Sequence, residues 1–176
     1  MFYKILVAID QSDLGEQLME KAITIAKPID AQLMLLNVAS PFYSGYPDPP
    51  VYPMVDSIYQ EANQTILERY EQEVETINQQ GLDLLRSQQA IATQAGVKTE
   101  ITQSFGDPGH VICDVARNWQ ADLIIIGRRG LSGWKEMMLG SVSNYVIHHA
   151  PCSVLTVQPL LQSTPEAPHI AQVHHH

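Results

Sequence analysis

The segment ADLIIIGRRG, residues 121–130, carries the clearest fold signal in the 176-residue chain. Its first six residues form an almost uninterrupted apolar run, which is typical of a strand covered on both faces, and glycine follows where the strand would meet a loop. Apolar or alternating runs recur at residues 3–9, 32–38, 97–104 and 153–157. The sequence therefore predicts five strands.

Helical patterns lie between these strands. Residues 13–26 place Leu14, Leu18, Ala22 and Ile25 on one stripe, and residues 10–13 supply residue types that cap helices. Further helices are predicted from Gly106-Asp107-Pro108 and from Gly140-Ser141. Alternating strands and helices predict an α/β fold, Rossmann-like, with a five-stranded parallel sheet, right-handed crossovers and helices on both faces.

The chain length is appropriate for one ordinary domain, which we assign to residues 1–159. Inside it, residues 40–54 form a Pro-rich insertion loop, and residues 55–95 form a long amphipathic helix that Gly81 could bend or divide and Gly96 would close. A lid, a contact surface and a plain surface excursion all stay open for the loop. Residues 160–176 are interpreted as a flexible tail ending in a purification-tag remnant.

Composition argues against several classes of function. Ten Lys and Arg against 19 Asp and Glu give a net charge of −9, which disfavours nucleic acid and anionic membrane surfaces as partners. No apolar run approaches the roughly 18 residues of a membrane span. The N-terminus lacks a signal-peptide pattern, so we expect a soluble, cytoplasmic protein.

The cysteines and histidines give little support for catalysis or metal binding. Cys113 and Cys152 lie in apolar stretches without metal-ligand spacing, and Cys152 is expected to be a small buried residue. His148 and His149 fall near the end of a predicted helix, where capping or packing is the expected role. His110 is expected to be a polar surface residue.

A glycine motif follows the fourth strand. Gly127 and Gly130 lie at the strand-to-loop junction, and Gly140-Ser141 enters the next helix after nine intervening residues. The first N–H groups of that helix, from Gly140, Ser141, Val142 and Ser143, would point outward with the positive end of the helix dipole, which favours phosphate. Arg128, Arg129 and Lys135 add local positive charge to an acidic chain. The sequence contains no GxxxxGK[ST] P-loop, and the turn after the first strand, Asp10–Gly15, lacks the GxGxxG fingerprint of dinucleotide-binding proteins.

This pattern, Gly127-x2-Gly130-x9-Gly140-Ser141, resembles the ATP-binding branch of the universal stress protein family. KILVAID, LLNV, GDPGHVICDVA, ADLIIIGRRG and LGSVSNYVIHHAPCSVLTV extend the resemblance over nearly the whole domain. It implies a sheet like that of adenine nucleotide alpha hydrolases. It also implies homodimers paired through the last strand, Ser153–Val157.

The resemblance further assigns site residues. Asp10 would meet the ribose or phosphate region, and Val38 would contact adenine through its backbone. Gly127 and Gly130 would line the ribose and phosphates. Gly140, Ser141 and Val142 would hold phosphate oxygens, and Mg²⁺ is expected to balance the charge of ATP, with its protein ligands, if any, unknown. From local charge and the free helix N–H groups, Arg128, Arg129 and Ser143 are added to the predicted nucleotide-binding residues.

The function predicted from these residues is an ATP-binding regulatory or signalling module in stress response, read by an unidentified protein partner. No catalytic residue is assigned, because hydrolysis needs a positioned base that the sequence does not supply. Two alternatives stay open. One is a slow ATPase or an adenylyl- or phosphoryl-transferring enzyme, and the other is a nucleotide-independent interaction or chaperone-like dimer.

Overall fold

A computed structural model describes residues 1–12, 14–40, 60–128 and 140–158, with backbone alone for residues 60–63. Its elements alternate along the chain as β1 (Lys4–Ala8), α1 (Gly15–Ala26), β2 (Gln32–Ala39), α2 (Gln60–Gln94), β3 (Thr99–Phe105), α3 (Pro108–Trp119), β4 (Leu123–Gly127), α4 (Ser141–His149) and β5 (Ser153–Val157). A short 3₁₀ turn, Lys27–Ile29, follows α1.

The five strands form one parallel sheet in the order β3-β2-β1-β4-β5. The predicted fold class is confirmed. The chain lays β2 and β3 on one side of β1 and then crosses to β4 on the other, so the strand order switches between β1 and β4. Ligands of such sheets bind beyond the carboxyl ends of the strands at this switch.

Two apolar layers cover the sheet because alternate residues of a strand face opposite sides. Ile5 and Val7 of β1 pack with α1 and α2, whereas Leu6 of the same strand packs with α3 and α4. The fourth strand is buried along its whole apolar run, as its composition predicts. Helices therefore lie on both faces of the sheet, and their packing explains the apolar runs in the strands.

The start of β4 is fixed to β1 by one carboxylate. Asp122 accepts hydrogen bonds from the backbone N–H groups of Tyr3 at 2.8 Å and Lys4 at 2.9 Å. These backbone donors hold the pKa of Asp122 below its ordinary value. The contact ties the two central strands together at the end of the sheet opposite the candidate site.

Two helix starts illustrate where local sequence patterns succeed and fail. Asp107 is the N-cap of α3 as expected, and its carboxylate accepts the His110 N–H at 3.1 Å. The predicted start of α1, at about residue 13, precedes the observed start by two residues, and the expected side-chain cap is absent, since the N-cap residue is Leu14. That helix begins at Gly15, and Asp10 accepts hydrogen bonds from the N–H and hydroxyl of Ser12 instead, because a tight turn follows β1.

The long helix α2 runs unbroken over 35 residues, so Gly81 does not divide it. Gly81 instead packs where a Cβ atom would collide with the side-chain amides of Asn37 and Gln103. Gly96 closes the segment with a φ of +85°, a backbone conformation that glycine adopts readily. The predicted loop 40–54, the first residues of the predicted helix and the tail lie, apart from Ser40, outside the described residues.

None of the helices in the described ranges is both long and apolar enough to cross a membrane.

Candidate functional site

The carboxyl ends of the strands bring the predicted site residues to one edge of the sheet. Ala8 of β1 pairs with Ile126 of β4, so Asp10 and Arg128 each follow that pair by two residues. Both therefore leave the sheet at the switch in strand order. Because α4 connects two parallel strands, its N-terminus at Gly140 lies at the same edge.

Asp10 is held by the chain around it. Its carboxylate accepts the Ser12 N–H at 3.1 Å and the Ser12 hydroxyl, which closes the turn between β1 and α1. The preceding carbonyl, that of Ile9, accepts a hydrogen bond from the Asn37 side-chain amide at 3.1 Å. Hydrogen bonds that involve the residues before and after Asp10 thus fix its position.

Asn37 is a residue that the sequence reasoning missed. It is buried, and its Oδ1 accepts a hydrogen bond from Gln103 Nε2 at 3.2 Å while Gln103 also donates to the Asn78 carbonyl at 3.0 Å. The signal was present as an asparagine inside the apolar run that follows Gln32 in the strand QLMLLNVA. Buried amides need hydrogen-bond partners, and here they link β1, β2, β3 and α2 just below the site.

Val38 presents its backbone to the site side of β2. The Leu36 carbonyl accepts the Ile9 N–H on the β1 side, whereas the Ala39 carbonyl accepts the Gly106 N–H on the β3 side. Successive peptide groups of a strand point alternately to its two neighbours, so the Val38 carbonyl is directed toward the β1 side, above the last pair with β1. That direction fits the backbone contact that the resemblance assigns to Val38.

A glycine at position 127 is explained by packing as well as by the predicted contact with a nucleotide. A Cβ atom at this position would lie 2.5 Å from Leu14 Cδ2 and 3.6 Å from Leu18 Cδ1. Its lack of a side chain therefore lets α1 pack against the end of β4. The next residue, Arg128, donates its N–H to the Val157 carbonyl at 2.7 Å, and Arg129, Gly130 and Lys135 lie outside the described residues.

The N-terminus of α4 lies where the motif predicts it, with Gly140 at its start. Gly140 is the N-cap residue, and its carbonyl accepts the Asn144 N–H at 2.9 Å and the Ser143 hydroxyl at 3.0 Å. The amides of Ser141, Val142 and Ser143 belong to the first turn, whose N–H groups have no carbonyl one turn earlier. Ser141 is exposed, whereas the Ser143 side chain is buried, so Ser143 can contribute only its backbone N–H.

Gly140 leaves room at this helix start. Among the described residues, a Cβ atom there would meet one neighbour, Ser143 Oγ, at an ordinary contact distance of 3.5 Å, and the φ of −58° suits any residue. The packing of the described residues thus does not require glycine at this position. A ligand that approaches the backbone closely would require a residue without a side chain here. A phosphate group in front of the helix is such a ligand.

His110 and His149 both contact Tyr145. His149 stacks on Tyr145 with ring centroids 4.0 Å apart, and its Nδ1 lies 2.8 Å from the Tyr145 carbonyl oxygen. The His110 ring lies 4.4 Å from that of Tyr145, between ring centroids, and its Nδ1 lies 2.7 Å from the Asp107 carboxylate. The packing role predicted for His149 is confirmed.

The two cysteines are free thiols whose pKa values burial raises, so neither is a prepared nucleophile. Cys152 was expected to be a small buried residue and is half-buried instead, because it lies in the turn that precedes the edge strand β5. In the part of the chain that the structure describes, no three His, Cys, Asp or Glu side chains are grouped to hold a metal ion. A magnesium ion here would rely on phosphate oxygens and water.

Comparison with known proteins agrees with this architecture. The family model described as the universal stress protein family matches residues 1–158. Universal stress protein Sll1388 of Synechocystis sp. is 39% identical over 158 residues, which cover 88% of this chain and 97% of the relative. Universal stress protein YxiE of Bacillus subtilis is 32% identical over 163 residues, covering 90% of this chain and all of the relative.

Solved structures share the fold at lower identity. Universal stress protein UspA from Lactobacillus plantarum superimposes with a TM-score of 0.66 at 23% identity, covering 89% of this chain and 97% of that one. A family protein from Arabidopsis thaliana, solved with AMP bound, has a TM-score of 0.59 at 23% identity, with 93% and 96% covered. A universal stress protein in complex with cAMP has a TM-score of 0.58 at 22% identity, with 89% and 97% covered. From its sequence match over nearly its whole length, this chain belongs to the universal stress protein family.

Proposed function

We propose that this protein is an ATP-binding regulatory module of the stress response, in which nucleotide occupancy changes a surface that a protein partner reads. The observation that carries the proposal is the meeting of four backbone-built features at one sheet edge. These are the Asp10 turn, the Val38 carbonyl, the end of β4 at Gly127 and Arg128, and the amide cluster at Gly140–Ser143.

The electrostatics of this edge support a phosphate ligand. The chain carries a net charge of −9, yet the N-terminus of α4 offers backbone donors and the positive end of the helix dipole. Arg128 leaves β4 at the same edge, and Arg129 follows it in the sequence. Relatives of the same fold solved with AMP and cAMP lend further support to an adenine nucleotide.

We assign ATP with Mg²⁺ as the ligand because the first-turn amides of α4 and the arginines that follow β4 supply the donors and the positive charge that a triphosphate needs. In this assignment Gly140, Ser141, Val142 and Ser143 hold the outer phosphates through N–H groups. Asp10 contacts the ribose or the metal-bound phosphates, and Val38 contacts the base. AMP is then expected to bind less tightly than ATP.

Binding, and not turnover, is the function that these groups support. Hydrolysis would need a base beside the terminal phosphate, and His110 and His149 are occupied with Asp107, Tyr145 and the α4 backbone. The proposal also includes a homodimer through β5, which ends the sheet and has a strand neighbour on one side among the described residues.

The test is to denature freshly purified protein and identify the released small molecule by chromatography. Released ATP supports a retained nucleotide with little turnover. Steady production of ADP or AMP from added ATP would replace the regulatory assignment with an enzymatic one. Absence of any nucleotide, together with unchanged partner binding after loss of the glycine motif, would favour a nucleotide-independent interaction module.

A further inference from the structure

Ile9 and Asn37 meet where β1 and β2 leave the sheet beside the proposed nucleotide site. The parallel pairing of the two strands ends at Ala8 and Leu36, and the Ile9 N–H still reaches the Leu36 carbonyl at 2.9 Å. Val38, which we assign to the base, follows Asn37 directly. The contact between Ile9 and Asn37 therefore controls how the backbone of Val38 is presented.

The Asn37 side chain takes the place of a backbone donor in this contact. In a parallel ladder the next hydrogen bond would run from the Val38 N–H to the Ile9 carbonyl. The Ile9 carbonyl instead accepts the Asn37 side-chain amide at 3.1 Å, and the strand pairing stops. Since the N–H and the carbonyl of Val38 both point toward the β1 side, this exchange leaves a donor and an acceptor next to each other outside the ladder.

A second amide holds the Asn37 side chain in this orientation. Gln103 lies opposite Asn37 on β3, and its Nε2 donates to Asn37 Oδ1 at 3.2 Å and to the Asn78 carbonyl at 3.0 Å. A carbonyl can only accept, so the carbonyls of Ile9 and Asn78 require an amide nitrogen at each end of the pair. The nitrogen of Asn37 is therefore the atom that faces Ile9.

Helix α2 covers the amide pair. Asn37 is 8% exposed, and Gln103 is half-buried. Gly81 brings the backbone of α2 against both amides, because a Cβ atom there would collide with Asn37 Oδ1 and Gln103 Nε2. Such packing leaves little room for water to replace a lost partner, and a buried polar group without a partner is costly. The pairing of these amides is therefore well maintained.

We propose that Asn37 is a positioning residue of the nucleotide site, because it occupies the Ile9 carbonyl and thereby keeps the N–H and carbonyl of Val38 available to a bound base. This inference rests on the proposed function and adds a specificity to it. A donor beside an acceptor complements adenine, which carries an acceptor at N1 and a donor at N6, whereas guanine carries a donor at N1 and an acceptor at O6. Asn37 thus favours ATP over GTP.

Nucleotide titration of Asn37→Leu, which keeps the size of the side chain and removes its amide, tests the inference. We expect AMP and ATP each to bind about tenfold more weakly than to the parent protein, because the Val38 N–H then bonds the vacated Ile9 carbonyl. The preference for ATP over GTP should narrow as well. Val97→Ala removes buried volume at the other end of the same sheet face and, as the matched control, should leave affinities and preference unchanged.

Hydrogen exchange of the Val38 amide in nucleotide-free protein tests the same step without a ligand. In Asn37→Leu this amide should exchange about tenfold more slowly than in the parent, since it gains a carbonyl partner. Loss of a side chain that only stabilises the fold would make exchange faster. Slower exchange together with no nucleotide binding by the parent would contradict the proposed function while supporting the control of Val38 by Asn37.

Equal affinity of Asn37→Leu and the parent for AMP and ATP would overturn the inference, as would an equal loss in Val97→Ala or unchanged or faster exchange of the Val38 amide. Should the leucine variant fail to fold, scalar coupling across hydrogen bonds in the parent protein decides. Coupling to the Ile9 carbonyl is expected from the Asn37 side-chain nitrogen. Coupling from the Val38 amide in its place would contradict the inference.

Discussion

Gly140 and Gly127 belong to the same glycine motif, yet the structure gives them different physical roles. Among the described residues, space is open around Gly140, whereas a side chain at Gly127 would press on Leu14. A substitution at Gly140 should therefore leave this packing undisturbed, whereas one at Gly127 requires the Leu14 side chain to move. Substitution at the two sites separates a requirement of the ligand from a requirement of packing.

Gly140→Val should weaken ATP binding at least tenfold, or about 1.4 kcal/mol, because its side chain would stand where a phosphate approaches the α4 amides. The circular-dichroism spectrum should be unchanged, since φ at this position is −58°. Calorimetric titration measures the affinity, and Gly140→Ala serves as a smaller step at the same place. Equal affinity of the valine variant and the parent would contradict the phosphate assignment.

Gly127→Ala should destabilise the protein by about 1–3 kcal/mol, because the new methyl group overpacks the contact with buried Leu14. Urea unfolding measures this loss. The double variant with Leu14→Ala relieves the clash, so the two costs should be less than additive. Full additivity would show that the packing explanation is wrong.

At the scale of elements, apolar patterns were sufficient to predict the sheet and insufficient to predict the contacts that position the site. The bounds of β5 match the prediction, and those of the other strands differ by up to two residues, because buried parallel strands require continuous apolar runs. Asn37, which bonds the Ile9 carbonyl, also accepts a hydrogen bond from Gln103, a residue 66 positions away in the sequence. No local pattern specifies a pairing at that separation.

The same limit applies to the predicted site. The glycines and the start of α4 follow from local turn and cap chemistry, so the sequence could indicate them. That Gly127 packs on Leu14, and that Gly81 of α2 packs on Asn37 and Gln103, depends on how α1 and α2 lie on the sheet. Such contacts follow from tertiary packing, which one sequence does not reveal.

The start of α3 predicts a pH dependence of stability. Hydrogen bonds from the His110 side chain and backbone hold the pKa of Asp107 below its ordinary 3.8. The unfolded chain then binds a proton more readily than the folded one, so the stabilisation is present above that ordinary value and is lost as pH falls through the lower folded one.

Asp107→Ala should therefore cost about 1 kcal/mol at neutral pH, as loss of an N-cap does, and the difference from the parent should shrink on acidification. Urea unfolding at neutral pH and at about pH 3 measures it. Asp107→Asn is the control, because asparagine keeps a capping oxygen without the titrating carboxyl. A difference that grows at low pH would contradict the assignment.

At the scale of the whole molecule, β5 is the end strand through which we propose that two copies pair. The Val157 carbonyl points to β4. The N–H and the carbonyl of Thr156, the residue before it, therefore point to the opposite, outer edge of β5. Thr156→Pro should thus remove an outer N–H donor while keeping the hydrogen bonds to β4.

We expect the parent protein to be a dimer and Thr156→Pro to shift it toward monomer, with Thr156→Val, which keeps the N–H, unchanged. Size-exclusion chromatography with light scattering measures the mass. A monomeric parent protein, or a proline variant as dimeric as the parent, would contradict pairing through this edge.

The central claim is that this molecule binds ATP at the switch in its strand order. Calorimetric titration of nucleotide-stripped protein with ATP, with and without Mg²⁺, tests it most directly. We expect saturable binding that is tighter for ATP than for AMP and that Gly140→Val weakens at least tenfold. No binding at millimolar ATP under either condition would contradict it.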